Sequence, residues 1–134
     1  SPPIAEHDLL ARVNQTLKKI IPIDALVYCP LGVGGHLDHA FTRFAAENLT
    51  CELLYYADFP YAAQSGIDIN AWLPESAAMT HETVLDEGLA AWQNAVACYT
   101  SQINSFWPSV EAMNESISNY RNSPLGTSFW WKKR

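Results

Sequence analysis

The chain is poor in the residues that staple small proteins or build metal clusters: three cysteines and four histidines in 134 residues. Cys29, Cys51 and Cys98 form an odd set without a CxxC pair, which excludes a disulfide framework and a zinc knuckle. They read as buried free thiols in a reducing compartment, and hence as a cytoplasmic chain. Basic residues are scarce as well. Eight Lys and Arg against fourteen Asp and Glu leave a net charge of -6, which repels nucleic-acid phosphates and anionic lipid. The one basic cluster, Lys132, Lys133 and Arg134, reads as a solvated end. No apolar run approaches the roughly 20 residues that cross a bilayer. Absent too are the GxSxG elbow, the GxxxxGK[ST] phosphate loop, GxGxxG and HExxH. The "GVGG" at 32–35 places His36 where a dinucleotide loop needs a small residue. No repeat, low-complexity tract or linker interrupts the chain, so one domain spanning 1–134 is expected.

What is present is a globular composition, 49% hydrophobic and 12% aromatic, with clear periodicities. From Glu6 to Ile21 the residues Leu9, Leu10, Val13, Leu17, Ile20 and Ile21 recur every three or four positions, an amphipathic helix stopped by Pro22. "DALVYCP" is a short unbroken apolar run, expected to be a strand covered on both faces and so part of a mostly parallel sheet. "AFTRFAAENL" then reads as a helix and "CELLYYADFPYA" as a second strand, completing a βαβ unit. Residues 66–85 suggest a β-hairpin. Leu89, Trp92, Val96, Tyr99, Ile103 and Phe106 predict one helix of about five turns. Pro108 suits the first position of a last helix carrying Val110, Met113, Ile117 and Tyr120. The irregular end, with Phe129, Trp130 and Trp131, is too apolar to stay unpacked.

Two of the four histidines fall within "GGHLDH", at the carboxyl end of the first strand, where ligands gather in α/β folds. His36 and His39 are three apart, and a helix starting at Leu37 turns both rings to one side. Neutral imidazole is a common zinc ligand, and a nearby carboxylate can fix its tautomer. Asp38 is placed either for that task or simply as a helix N-cap. Gly34 and Gly35 let a ligand approach the backbone. A catalytic zinc usually takes three protein ligands, more than this stretch supplies. His7 and His81 lack acidic or cysteine partners at a suitable interval and read as surface residues.

The order of these features resembles the second half of the PIG-L/LmbE-type N-deacetylases: a strand ending in Tyr28 and Pro30, then GGHLDH and a helix, then "LLYYADFPYA", "ACYTSQI" at 97–103 and a terminal "SFWW". The resemblance implies a Rossmann-like three-layer α/β fold and zinc-dependent hydrolysis of an N-acetyl group on an N-acetylglucosamine-like substrate. By the same resemblance His39 is a zinc ligand, His36 the catalytic histidine oriented by Asp38, and Asp58 and Tyr61 border the substrate pocket. It also leaves room for a homo-oligomer. The family's His-Pro-Asp-Asp motif, which supplies two zinc ligands and the general base, has no counterpart, the nearest stretch being "AEHDLL" at 5–10. Ser128 stands where the family has a glutamate. The expectation is a C-terminal part of a longer enzyme, lacking N-terminal strands and inactive alone, with a non-catalytic sugar- or partner-binding remnant as the alternative.

Overall fold

The computed structural model describes residues 4–132. The chain divides into two compact units, one running to Met79 and resuming at Phe129, the other comprising Thr80–Ser128. Lys133 and Arg134 of the basic tail lie outside the described residues.

In the first unit, helix α1 (Ile4–Ile20) ends where the Ile21 N–H closes on Leu17 and Pro22 removes the next donor, with Lys18 and Lys19 at its negative end. Strand β1 (Leu26–Pro30), helix α2 (Leu37–Glu47) and strand β2 (Glu52–Tyr56) form the expected βαβ unit. β1 and β2 are parallel, with Leu26 opposite Glu52 and Pro30 opposite Tyr56. Buried Ala45 and Ala46 are the small residues on the covered side of α2. Cys29 is buried in β1, and burial, followed by the Glu47 carboxylate, pushes its thiol up to about 12, which keeps it protonated and unreactive. Cys51 is buried as expected, whereas Cys98 is exposed.

The four strands lie in the order β1-β2-β4-β3, with β3 at Ala77–His81 and β4 at Ser128–Lys132. β4 runs antiparallel to β2, pairing Trp130 with Tyr55 and Phe129 with Tyr56, so the sheet is mixed and not mostly parallel. The expectation failed because an unbroken apolar run reports burial, not strand direction. Nor is β1 covered on both faces. Leu26 and Tyr28 are half exposed on one side while Cys29 is buried on the other, and the Tyr28 ring meets Phe129 edge-on with centroids 5.5 Å apart. The aromatic terminus is thus a paired strand.

The expected hairpin over 66–85 is instead a 3-10 turn at Ile69–Ala71, capped by the Asp68 carboxylate, followed by the single strand β3. Asx capping competes with strand pairing here, and the Ile67, Ile69, Ala71 alternation proved accidental.

The second unit is helical, with α3 (Asp86–Ala97), α4 (Thr100–Phe106) and α5 (Val110–Arg121). The predicted long helix therefore breaks at Cys98–Tyr99, where Tyr99 leaves helical geometry (φ -86°, ψ 58°). No proline or glycine marks the break. With it, Ile103 is buried while Tyr99 is 68% exposed, so tertiary packing overrides the continuous apolar row. Ser109, not Pro108, opens α5, its hydroxyl accepting from the Ala112 N–H at 3.1 Å. Met113, Ile117 and Tyr120 are buried, and Trp92 of α3 stands edge-on to Tyr120 with centroids 6.2 Å apart. No helix among the described residues is long and apolar enough to cross a membrane.

Candidate active site

The loop leaving β1 is gripped by one carboxylate. Asp58, two residues beyond β2, is 1% exposed, and its Oδ2 accepts from the N–H groups of Gly32 at 2.8 Å and Val33 at 3.0 Å. Parallel register explains the meeting: Pro30 faces Tyr56 as the last pair, and Gly32 and Asp58 each lie two residues further along. The second oxygen, Oδ1, lies 2.6 Å from Nδ1 of His39 in the first turns of α2. An ionised carboxylate only accepts hydrogen bonds, so Nδ1 carries the proton and donates it. In the neutral imidazole this leaves Nε2 with its lone pair, the state in which an imidazole ligates a metal or takes a proton.

Three rings meet there. His36, the residue preceding α2, has its ring centroid 5.8 Å from that of His39 and 5.2 Å from that of Tyr61, and Tyr61 is 5.7 Å from His39, nearly perpendicular to it. Tyr61 opens a 3-10 turn just after Asp58, so a single short segment supplies both the carboxylate and the ring. His36 is exposed, His39 partly buried. Gly34, Gly35, His36, Leu37 and Asp38 line a cavity of about 420 Å³. A larger cavity, about 970 Å³, is lined by Arg43, Glu47, Tyr55, Trp131 and others but by neither histidine, and the chemistry favours the smaller one.

Gly34 is required by its surroundings. Its φ is +91°, and a Cβ there would lie 2.9 Å from ring atoms of Tyr61. Gly34→Ala is expected to push Tyr61 away from both imidazoles and to cost about 1–3 kcal/mol of backbone strain. Loss of the Tyr61 ring-current shift on the His36 and His39 protons, with a lower Tm, checks this. An unchanged spectrum contradicts it.

The expected site residues thus divide. His36, His39 and Tyr61 come together. Asp58 is near them, as the buried anchor of His39 and the loop. Asp38 lies exposed in the first turn of α2, its carbonyl accepting from Thr42, and among the described residues no hydrogen bond joins its carboxylate to His36. Nor does its side chain cap the helix. The carboxylate in contact with an imidazole is Asp58, and that imidazole is His39. Sequence reading had no local signal for this pairing beyond the equal offset of Gly32 and Asp58 past two parallel strands. His7 and His81 are exposed as expected, although His81 Nδ1 also approaches the Ser128 hydroxyl at 3.3 Å.

Among the described residues no group of three or more His, Cys, Asp or Glu side chains is arranged to hold a metal ion. The Nε2 of His39 fits one corner of a zinc site. A whole site needs donors other than those described.

No family model matches the chain, and no characterised protein matches it by sequence. Two solved structures do resemble it. A deacetylase triple mutant involved in the teicoplanin biosynthetic pathway superposes with a TM-score of 0.69 at 26% identity, over 93% of this chain and 57% of that one. A deacetylase–bog complex from the biosynthesis pathway of teicoplanin gives a TM-score of 0.71 at 26% identity, over 98% and 55%. The chain therefore has an α/β deacetylase fold and spans little more than half the length of these neighbours.

Proposed function

We propose that this chain carries part of the active site of a zinc-dependent N-deacetylase of the PIG-L/LmbE type, acting on the N-acetyl group of an N-acetylglucosamine-like or related amine. The observation that carries this reading is His39. A buried carboxylate holds its Nδ1–H, leaving Nε2 as a lone-pair donor beside an exposed second histidine, within a chain that resembles solved deacetylases.

In this reading His39 is one zinc ligand, and the remaining donors and the general base come from outside the described residues. Zinc, when bound, supplies a water of lowered pKa and polarises the acetyl carbonyl. His36 does the acid work of the chain itself. Exposed at the cavity edge, it donates a hydrogen bond to the tetrahedral oxyanion or a proton to the departing amine, either being worth about 100-fold in rate. Asp38, exposed beside it, is the carboxylate available to steer that ring once substrate is bound. Tyr61 packs against both imidazoles and limits their rotation. With a single fixed donor among the described residues, the chain alone is expected to bind zinc too weakly for turnover.

The test uses the full-length protein. About one zinc per complete site, and acetate release from an N-acetylglucosamine-containing substrate that a chelator abolishes, are the expected results. Metal-free protein that binds the sugar without releasing acetate would instead favour the non-catalytic remnant.

A further inference from the structure

A single guanidinium closes the ring of contacts around His39. Arg43 lies one helical turn after His39 on α2. Its Nη1 donates to the carbonyl oxygens of Leu31 at 2.8 Å and Trp72 at 2.7 Å, and its Nε donates to Glu47 at 2.9 Å. The guanidinium carbon sits 5.3 Å from the centroid of the Tyr55 ring, whose hydroxyl donates to the same Glu47 oxygen at 3.1 Å.

The Leu31 carbonyl and the Gly32 N–H belong to one peptide unit, and a peptide unit is planar and rigid. Arg43 holds that plane by its oxygen and Asp58 holds it by its nitrogen. The other oxygen of Asp58 holds His39, which returns to α2. The Leu31 N–H donates to the Tyr56 carbonyl, so the same residue also carries the β1–β2 ladder into the loop. Helix, loop and carboxylate therefore form a closed circuit, in which Arg43 is linked to the imidazole through the Leu31–Gly32 peptide and Asp58.

We propose that Arg43 is a positioning residue for the His39 imidazole: by fixing the Leu31–Gly32 peptide plane it sets the Asp58 carboxylate and so keeps the proton of His39 on Nδ1. The role rests on the proposed function, in which Nε2 of His39 must stay free, yet its readout needs no catalysis. Lysine cannot replace it. An ammonium on a flexible stem lacks the planar fork that reaches two carbonyls and a carboxylate in fixed directions. Glu47 provides the control, because removing its charge breaks the ion pair while both carbonyl bonds of Arg43 remain.

The experiment records imidazole proton–nitrogen correlations and amide exchange in the full-length protein and in Arg43→Lys, Arg43→Gln and Glu47→Gln. Unmodified protein and Glu47→Gln are expected to show His39 as a single Nδ1–H tautomer with slowly exchanging Gly32 and Val33 amides. Both Arg43 variants are expected to lose the single tautomer and to exchange those two amides at least tenfold faster. A locked His39 ring in the Arg43 variants overturns the role, as does an equal loss in Glu47→Gln, which would reduce Arg43 to an ion-pair partner. Should the Arg43 variants not fold, exchange in the unmodified protein decides: the Arg43 Nη1–H and Gly32 N–H opening together supports the circuit, and independent opening overturns it. Absence of zinc or of acetate release in the unmodified protein would remove the deacetylase reading and leave these ring and amide measurements as they stand.

Discussion

In the proposed deacetylase reading, Asp58→Asn is expected to leave the fold standing and to remove most of the activity of the full-length protein. The two backbone N–H groups of Gly32 and Val33 need an acceptor, so the amide oxygen of asparagine takes the place of Oδ2. Its NH2 group then faces Nδ1 of His39, which can satisfy it only by accepting. The ring proton moves to Nε2, and the lone pair that would ligate zinc is gone. In a serine-protease triad the corresponding Asp→Asn change, which traps the wrong histidine tautomer, costs about 10⁴-fold in kcat. Loss of a partner that orients a metal-bound histidine costs about 10–100-fold in metal affinity. Acetate release should therefore fall by between about 100-fold and 10⁴-fold, with reduced zinc content and a nearly unchanged Tm. Asp58→Ala differs in kind. It strands two buried N–H groups, at about 1–3 kcal/mol each, and should lower Tm as well. Unchanged turnover and zinc in Asp58→Asn would mean that the tautomer of His39 has no part in the chemistry.

In the same proposed reading, the two histidines are expected to separate when each is removed. His39→Ala should release zinc from the full-length protein and reduce acetate release to background, because the remaining donors lose a third of their set. His36→Ala should retain zinc and lose about 100-fold or more in kcat, since only the stabilisation of the oxyanion or leaving amine disappears. Metal analysis beside steady-state kinetics distinguishes the pair. Zinc retained in His39→Ala, or full turnover in His36→Ala, contradicts the assignment of roles.

Much of the local structure was legible in advance. The first helix follows from the spacing of Leu9, Val13 and Leu17, and the βαβ unit from two apolar runs around an amphipathic segment. His36 and His39 share one side because an i, i+3 pair at the start of a helix must. Other elements differ from the sequence expectation where a local pattern has two tertiary outcomes. The apolar row from Leu89 to Phe106 is compatible with one helix or two, and the burial of Ile103 selected two. "SFWWK" carried too little alternation to be read as a strand, yet its pairing with β2 decides that the sheet is mixed.

Sequence alone determined which side chains could do chemistry and which lie close along the chain: two imidazoles at helical spacing, with glycines before them. Tertiary structure alone decided that the Asp58 carboxylate meets the His39 imidazole. Asp38 lies close to both histidines in sequence, and it is exposed in the lining of the cavity. Asp58, 19 residues from His39, is the one in contact. The reason is register. A parallel pair sets residues 26 positions apart side by side, so the carboxylate past the end of β2 meets the amides past the end of β1, and Arg43 on the intervening helix holds the junction. Such proximity depends on how two strands and a helix pack together, which no local spacing encodes.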